Sequence, residues 1–144
     1  MPILRTLDEV APILASTRQI AVLGAHDDRA RPAFYVPDYL HSKGYHILPV
    51  NPRLAGTTLF GETVRASLPD LSASPDMVDI FRPPSALMAH LPELLALRPK
   101  VVWLQLGIAH AEFCHALSSA GLTVVEDRCT LADHRALGLP RVNP

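Results

Sequence analysis

The chain has 144 residues and a mass of 15.7 kDa, enough for one domain with a real core and too short for a two-domain enzyme. Apolar residues make up 49% and charged residues 19%, which is not the composition of a disordered segment. Thirteen Lys and Arg stand against fourteen Asp and Glu, a formal net charge of −1, so no global field draws the chain to nucleic acid or an anionic membrane and any phosphate binding has to be local.

Cys114 and Cys129 are too few for a disulfide scaffold and are expected as free thiols in a reducing compartment. The first residues show no basic segment followed by an apolar stretch, and no apolar run approaches the roughly 18 residues of a membrane span. A soluble, cytoplasmic protein is expected.

In chain order, Thr6-Leu7-Asp8-Glu9 has the form of a capping box. A helix begun there carries Pro12 too deep, so the expected start is Asp8. Ile20-Ala21-Val22-Leu23 is the first of five short apolar runs; the others are residues 45–50, 77–81, 101–104 and 122–125. Most are continuous rather than alternating, as parallel strands covered on both faces are.

Residues 34–43 read as a helix ending at Gly44, with Pro37 limiting its start to Ala33 or Phe34. Residues 53–74 are expected to cross from the second run to the third with one short helix at about residues 66–71. Pro92 splits residues 84–97 into a turn and a proper helix, and residues 109–120 form another helix ending at Gly121. Strand and helix in alternation predict an α/β fold, a doubly wound parallel sheet with helices on both faces, in a single domain over residues 1–144.

Ligands of such sheets bind beyond the carboxyl ends of the strands. After the first run, residues 24–32 form a loop feeding a helix N-terminus, where free N–H groups favour a phosphate and Arg29 and Arg31 add charge. That loop has one glycine, so the dinucleotide fingerprint is absent, and Asp27 and Asp28 would repel a pyrophosphate they faced. The second run ends Asn51-Pro52-Arg53, a cation where an NAD-binding fold offers Asp or Glu. Arg53 suits a phosphorylated ribose or is a solvated surface residue.

The third run ends Phe81-Arg82-Pro83 and the fourth Gln105-Leu106-Gly107-Ile108, where Gly107 either lets a ligand approach the backbone or makes a turn. Cys129 follows the fifth run. His110 and His115 are five apart and do not share a helical face, and neither a Cys-x-x-Cys pattern nor a G-x-S-x-G elbow occurs. Cys129 with His134, across a presumed turn, is the one nucleophile and base pair worth stating. No catalytic constellation emerges, and no enzyme activity or metal is expected.

Residues 20–24, Arg29-x-Arg31-Pro32, Val50-Asn51-Pro52-Arg53, Asp79-Ile80-Phe81-Arg82, residues 103–108, and Asp127-Arg128-Cys129 with His134 together resemble the small stand-alone bacterial and archaeal CoA-binding proteins, relatives of the CoA-binding domain of the succinyl-CoA synthetase alpha subunit. The resemblance covers about residues 7–137. It implies a Rossmann-like five-stranded sheet of order 3-2-1-4-5 that holds CoA or an acyl-CoA across its strand ends. Gly24, Ala25, His26, Arg29, Arg31 and Pro32 would take the pyrophosphate, and Asn51, Pro52 and Arg53 the phosphorylated ribose. Phe81, Arg82, Pro83, Gln105, Gly107 and Ile108 would flank adenine or pantetheine, with Cys129 at the rim.

Ala33 and His26 depart from the hydroxyl residues more usual in that family's loop, and no counterpart of the synthetase's catalytic histidine is present, so the resemblance implies binding without ligase activity. The partner is then a small nucleotide ligand, with a homo-oligomer or a protein partner left open. An NADP-binding oxidoreductase or its subunit, and a thiol-redox regulator using Cys129, are the alternatives.

Overall fold

The computed structural model describes residues 2–143, so the outermost residues of the expected domain, Met1 and Pro144, lie outside the described residues. Six parallel strands form one sheet: β1 (Ile3–Leu4), β2 (Gln19–Leu23), β3 (His46–Val50), β6 (Met77–Ile80), β7 (Val101–Leu104) and β8 (Thr123–Val125). A small antiparallel ribbon, β4 (Thr58–Leu59) with β5 (Glu62–Thr63), lies in the crossover after β3. The helices are α1 (Leu7–Ser16), α2 (Pro32–Ser42), α3 (Leu91–Leu97), α4 (Ala111–Ser119) and α5 (Thr130–Leu137).

Strand residues alternate between two buried clusters, as the two-residue period of a strand requires. Ile20, Val22, Ile47, Met77, Trp103 and Val125 pack with Val10 and Leu14 of α1, Val36 and Leu40 of α2, and Leu131 and Leu137 of α5. Ala21, Leu23, Leu48, Val78, Ile80, Val102 and Leu104 pack on the opposite side with Leu94 of α3 and Phe113, Cys114 and Leu117 of α4. Continuous apolar runs were the sign of this arrangement, because both faces of each strand need an apolar side chain.

The five-stranded order 3-2-1-4-5 does not form. The sheet order is β1-β8-β7-β6-β2-β3, so the third apolar run pairs with the first, from Ile20 opposite Met77 to Leu23 opposite Ile80, and not with the second. Pro49 supplies the reason. It has no N–H, and its carbonyl points outward to accept from the Arg65 N–H at 3.0 Å, while the next carbonyl, that of Val50, accepts from Gly24 N–H at 2.9 Å on the β2 side. An internal β3 would leave a neighbouring carbonyl without a donor, so the proline confines β3 to the edge. β6, buried at all four positions, takes the interior place.

The sixth strand, β1, was not anticipated. Side chains hold it beside β8: Arg5 donates through Nε and Nη2 to Glu126 Oε1 at 3.0 and 2.8 Å, and Arg128 Nη1 donates to the Arg5 carbonyl at 2.9 Å. Arg128 also grips Asp133 with two bonds of 2.6 and 2.7 Å, and its carbonyl accepts from Trp103 Nε1 at 2.7 Å. Burial alone would raise the Glu126 carboxyl, but hydrogen bonds from Cys114, the His110 backbone and Arg5 outweigh it and leave it lowered. Burial, followed by the Glu126 carboxylate, pushes the Cys114 thiol up to about 12.

Three helix boundaries differ from expectation, each through proline or capping. α1 begins at Leu7, with Thr6 as its cap, and not at Asp8: Glu9 N–H donates to Thr6 Oγ1 at 3.3 Å and Thr6 N–H to Glu9 Oε1 at 3.1 Å. Pro12 costs only the partner of the Asp8 carbonyl, on an exposed face of the helix. α2 begins at Pro32, where the missing N–H of a first-turn proline removes no bond. The crossover helix expected at residues 66–71 is a short 3-10 turn, Leu68–Asp70, and a second such turn, Pro52–Leu54, precedes the ribbon. Gly44 and Gly121 both have positive φ, 98° and 91°, as the expected helix ends require.

No helix among the described residues is long and apolar enough to cross a membrane. Replacing Thr6 by alanine removes one side of the capping box and should cost about 1 kcal/mol. In a thermal melt this reads as a Tm lower by roughly 2–4 °C. An unchanged Tm would show that the box contributes nothing to stability.

Candidate ligand-binding site

From β2 the chain steps outward to β3, then returns to the other side of β2 to build β6, β7 and β8. The strand order therefore reverses between β2 and β6, and the loops after these strands diverge and leave a crevice at their carboxyl ends. A cavity of about 790 Å³ occupies that place, within the range of roughly 300–1,000 Å³ usual for small-molecule sites.

The end of β2 contributes Gly24, His26, Arg31 and Pro32 to its lining, and the end of β3 contributes Asn51, Pro52 and Arg53. Phe81, Arg82 and Pro83 come from the end of β6, Gln105 and Ile108 from β7, and Cys129 from the start of α5. Thirteen of the sixteen residues singled out in the sequence thus meet at one cavity. Ala25, Arg29 and Gly107 do not line it. Ala25 is fully buried, the Arg29 guanidinium lies 5.3 Å from the centre of the Phe34 ring, and Gly107 makes a turn with φ 86° in which its N–H donates to Asp127 Oδ1 at 2.6 Å.

The loop after β2 is held by groups that only this fold brings together. Asn51 Nδ2 donates to the Ala25 carbonyl at 2.8 Å while its Oδ1 accepts from the Arg53 N–H at 2.9 Å. An amide is needed, because an aspartate there could not donate to Ala25. Pro37 leaves the Ala33 carbonyl free of its helical partner, and His26 N–H takes that carbonyl at 3.2 Å. Gly24, with φ 91°, stands where a Cβ would come within 2.7 Å of the Phe81 carbonyl oxygen, so a side chain would push the β2 and β6 loops apart.

Asp27 and Asp28, the feared repulsive pair, do not line the cavity. Asp28 Oδ1 accepts from the Ala30 N–H at 3.0 Å and its Oδ2 stands 3.6 Å from Arg31 Nε, while Asp27 lies beside His26. Arg53 and Arg82 have no acidic partner among the described residues. Arg31 caps α2 without a side-chain bond; its carbonyl accepts from the Phe34 and Tyr35 N–H groups at 2.9 and 3.0 Å, Pro32 has no N–H, and Ala33, the one residue between them, joins the lining.

Behind the lining residue Gln105, Asp79 of β6 is fully buried. It accepts from Gln105 Nε2 at 2.6 Å and from Thr130 Oγ1 at 3.1 Å, and Gln105 Nε2 also reaches Thr130 Oγ1 at 2.8 Å. Burial pushes the Asp79 carboxyl up to about 7, against the opposing effect of those two hydrogen bonds.

Tyr35 and Leu106, 46% and 70% exposed, form apolar parts of the rim. Leu106 lies inside the stretch from Gln105 to Ile108 that the resemblance set beside adenine or pantetheine, whereas Tyr35 carried no signal that was read from the sequence. Ser67, His90 and Glu93 come from crossover segments that no motif marks. The pair Cys129 and His134 is not assembled across a turn: residues 130–137 are helix α5, and the His134 ring lies against Tyr39 and Tyr45, with Nδ1 2.8 Å from the Tyr39 hydroxyl.

The raised Asp79 carboxyl makes stability depend on pH in a defined direction. Between the ordinary value of 3.8 and about 7, the folded chain holds a proton that the unfolded chain has released. This contribution therefore falls as pH rises through that window and is level above it. Asp79→Asn keeps the shape without the charge, so its Tm should gain on the parent's as pH is raised from about 4 to 8. A difference in Tm that stays constant across a series of buffered melts would contradict this.

A model of the CoA binding domain family matches residues 18–135. The uncharacterized protein YneT of Bacillus subtilis is 31% identical over 126 residues, 88% of this chain and 92% of YneT. The solved structure of cell-free ID.343 from Thermus thermophilus is 57% identical with a TM-score of 0.89, covering 92% of this chain and 98% of that one. A hypothetical protein from Pyrococcus horikoshii is 30% identical with a TM-score of 0.85, and 93% of each chain is covered. With the family model spanning most of the sheet and every strand end that lines the cavity, the chain belongs to the CoA binding domain family.

Proposed function

We infer that the cavity binds CoA or an acyl-CoA in extended form across the strand ends, and that the protein acts by binding and not by chemistry on the ligand. The observation that carries this reading is the row of arginines. Arg53, Arg31 and Arg82 follow the adjacent strands β3, β2 and β6, and all three line one cavity in which only Arg31 has a nearby acid of its own. A polyanion supplies the missing countercharge.

The shape of the site agrees. The lining runs from the end of β3 to the residue that opens α5 after β8, four strand spacings away, or about 19 Å. A nucleotide diphosphate with a pantetheine arm is a long ligand with its charge at one end. The arginines cluster toward the β3 side, and Ile108, Leu106 and Cys129 lie toward the other. His134 is not positioned as a base for Cys129, because it is buried with its Nδ1 at the Tyr39 hydroxyl.

Arg53 follows the edge strand and is assigned to the ribose 3′-phosphate, a charge-assisted contact contributing about 1.5 to 3 kcal/mol. CoA at about a hundred times its Kd should raise stability by roughly 2.7 kcal/mol. The corresponding rise in Tm is about 5 to 10 °C.

Titration calorimetry of the parent and Arg53→Ala against CoA and dephospho-CoA tests the assignment. Loss of the phosphate and loss of the guanidinium should each weaken binding roughly ten- to a hundred-fold, and the two losses should not add. Additive losses would move Arg53 to another part of the ligand. No heat and no change in Tm with millimolar CoA would overturn the reading, and binding of NADP in its place would favour a nicotinamide cofactor.

A further inference from the structure

One corner of the cavity is not cationic. Glu93 is the only carboxylate among the described lining residues, and His90 stands next to it in the lining. His90 caps α3 and Glu93 lies in its first turn, so their spacing of three places them on one face. His90 Nδ1 is 3.6 Å from Glu93 Oε2, beyond a hydrogen bond, which leaves both groups with capacity to spare. His90 Nε2 is buried without a partner among the described residues, so the ring nitrogen left to serve a ligand is Nδ1. A proton is better placed on Nδ1 than on Nε2, where it would be buried without an acceptor.

Glu93 pairs with none of the three cavity arginines. A phosphate would be repelled by its carboxylate, so the ligand group at this corner is neutral and donates a hydrogen bond. His90 Nδ1–H asks for an acceptor beside that donor. A planar edge with an amino group next to a ring nitrogen answers both demands, and Phe81 and Pro83 in the same lining offer apolar faces for a flat ring.

The geometry points to a base-reading corner: Glu93 accepts from the exocyclic amine of an adenine base while His90 Nδ1–H donates to the adjacent ring nitrogen. This rests on the CoA reading above and adds to it a preference for 6-aminopurine over 6-oxopurine ligands. A 6-oxo base turns an oxygen toward the Glu93 carboxylate, which leaves two acceptors facing each other. α3 packs against the 3-10 turn Leu68–Asp70, which follows the Arg65 bridge to β3, so this corner lies on the β3 side of the cavity with the arginines. An adenine, joined through a single ribose to the phosphates that the arginines hold, is the part that reaches it, and not the distant pantetheine arm.

Titration calorimetry with CoA, with the CoA analogue carrying hypoxanthine, and with adenosine 3′,5′-bisphosphate tests the assignment in the parent and in Glu93→Gln. The parent should bind CoA at least about tenfold more tightly than the hypoxanthine analogue. Glu93→Gln should weaken CoA and the bisphosphate, because its amide oxygen accepts from the 6-amino group without the carboxylate's charge, and should leave the analogue unweakened, because its amide nitrogen can donate to the 6-oxo group. The preference between the two purines should therefore narrow. Equal affinity of the parent for the two purines would overturn the corner while leaving CoA binding intact. A loss in Glu93→Gln seen with CoA but absent with the bisphosphate would assign the contact to the pantetheine arm and equally overturn it. If the parent fails to bind CoA, the reading of the whole cavity fails, and this one with it.

Discussion

A strand that contains proline has one side on which it cannot donate, and the placement of Pro49 organises this molecule. With that side turned outward, β3 becomes an edge and β6 must enter the sheet on the far side of β2. The reversal of strand order then falls between β2 and β6, where the loops part and the cavity opens. Asn51 lies one residue beyond the end of β3 and clamps the β2 loop through the Ala25 carbonyl, so the edge strand also shapes the site it borders.

Proline recurs in this role of freeing or withholding a backbone partner. Pro37 interrupts the ladder of α2 and releases the Ala33 carbonyl to His26, which ties the loop after β2 to its own helix. Pro32 starts that helix where an N–H is dispensable, and Pro92 does the same for α3, which leaves His90 and Glu93 at the helix corner facing the cavity. The fourteen prolines that make the helices hard to read are, at these positions, what shapes the rim.

Charge is divided between two zones. Around β1, β8 and α5, Arg5, Arg128, Glu126 and Asp133 satisfy one another, and the network fastens the N-terminal strand to the sheet. At the cavity, Arg53 and Arg82 are left without acids among the described residues. Arginines spent on internal bonds stabilise the fold, whereas those left unmatched beside a crevice recruit anions. The same contrast separates the thiols: Cys114 is buried against Glu126, and Cys129 is on the cavity wall.

The sequence by itself determined the five apolar strands, the alternation with helices, the left-handed glycines at two helix ends and the loops that hold most of the cavity residues. Those features are local: a continuous apolar run, a Gly after a helix or an Asn-Pro-Arg corner carries its meaning within a few residues. Tertiary structure alone decided the order of the strands, the sixth strand and the roles of residues from distant segments. Strand order depends on which neighbour each edge accepts; Pro49 held that information in its missing N–H, but five similar apolar runs offer no other way to choose a partner. β1 is two residues long and owes its place to Arg5, Glu126 and Arg128, far apart in sequence. His90 and Glu93 reached the cavity because the crossover folds α3 against the ends of the strands, and no spacing along the chain encodes a contact made that way.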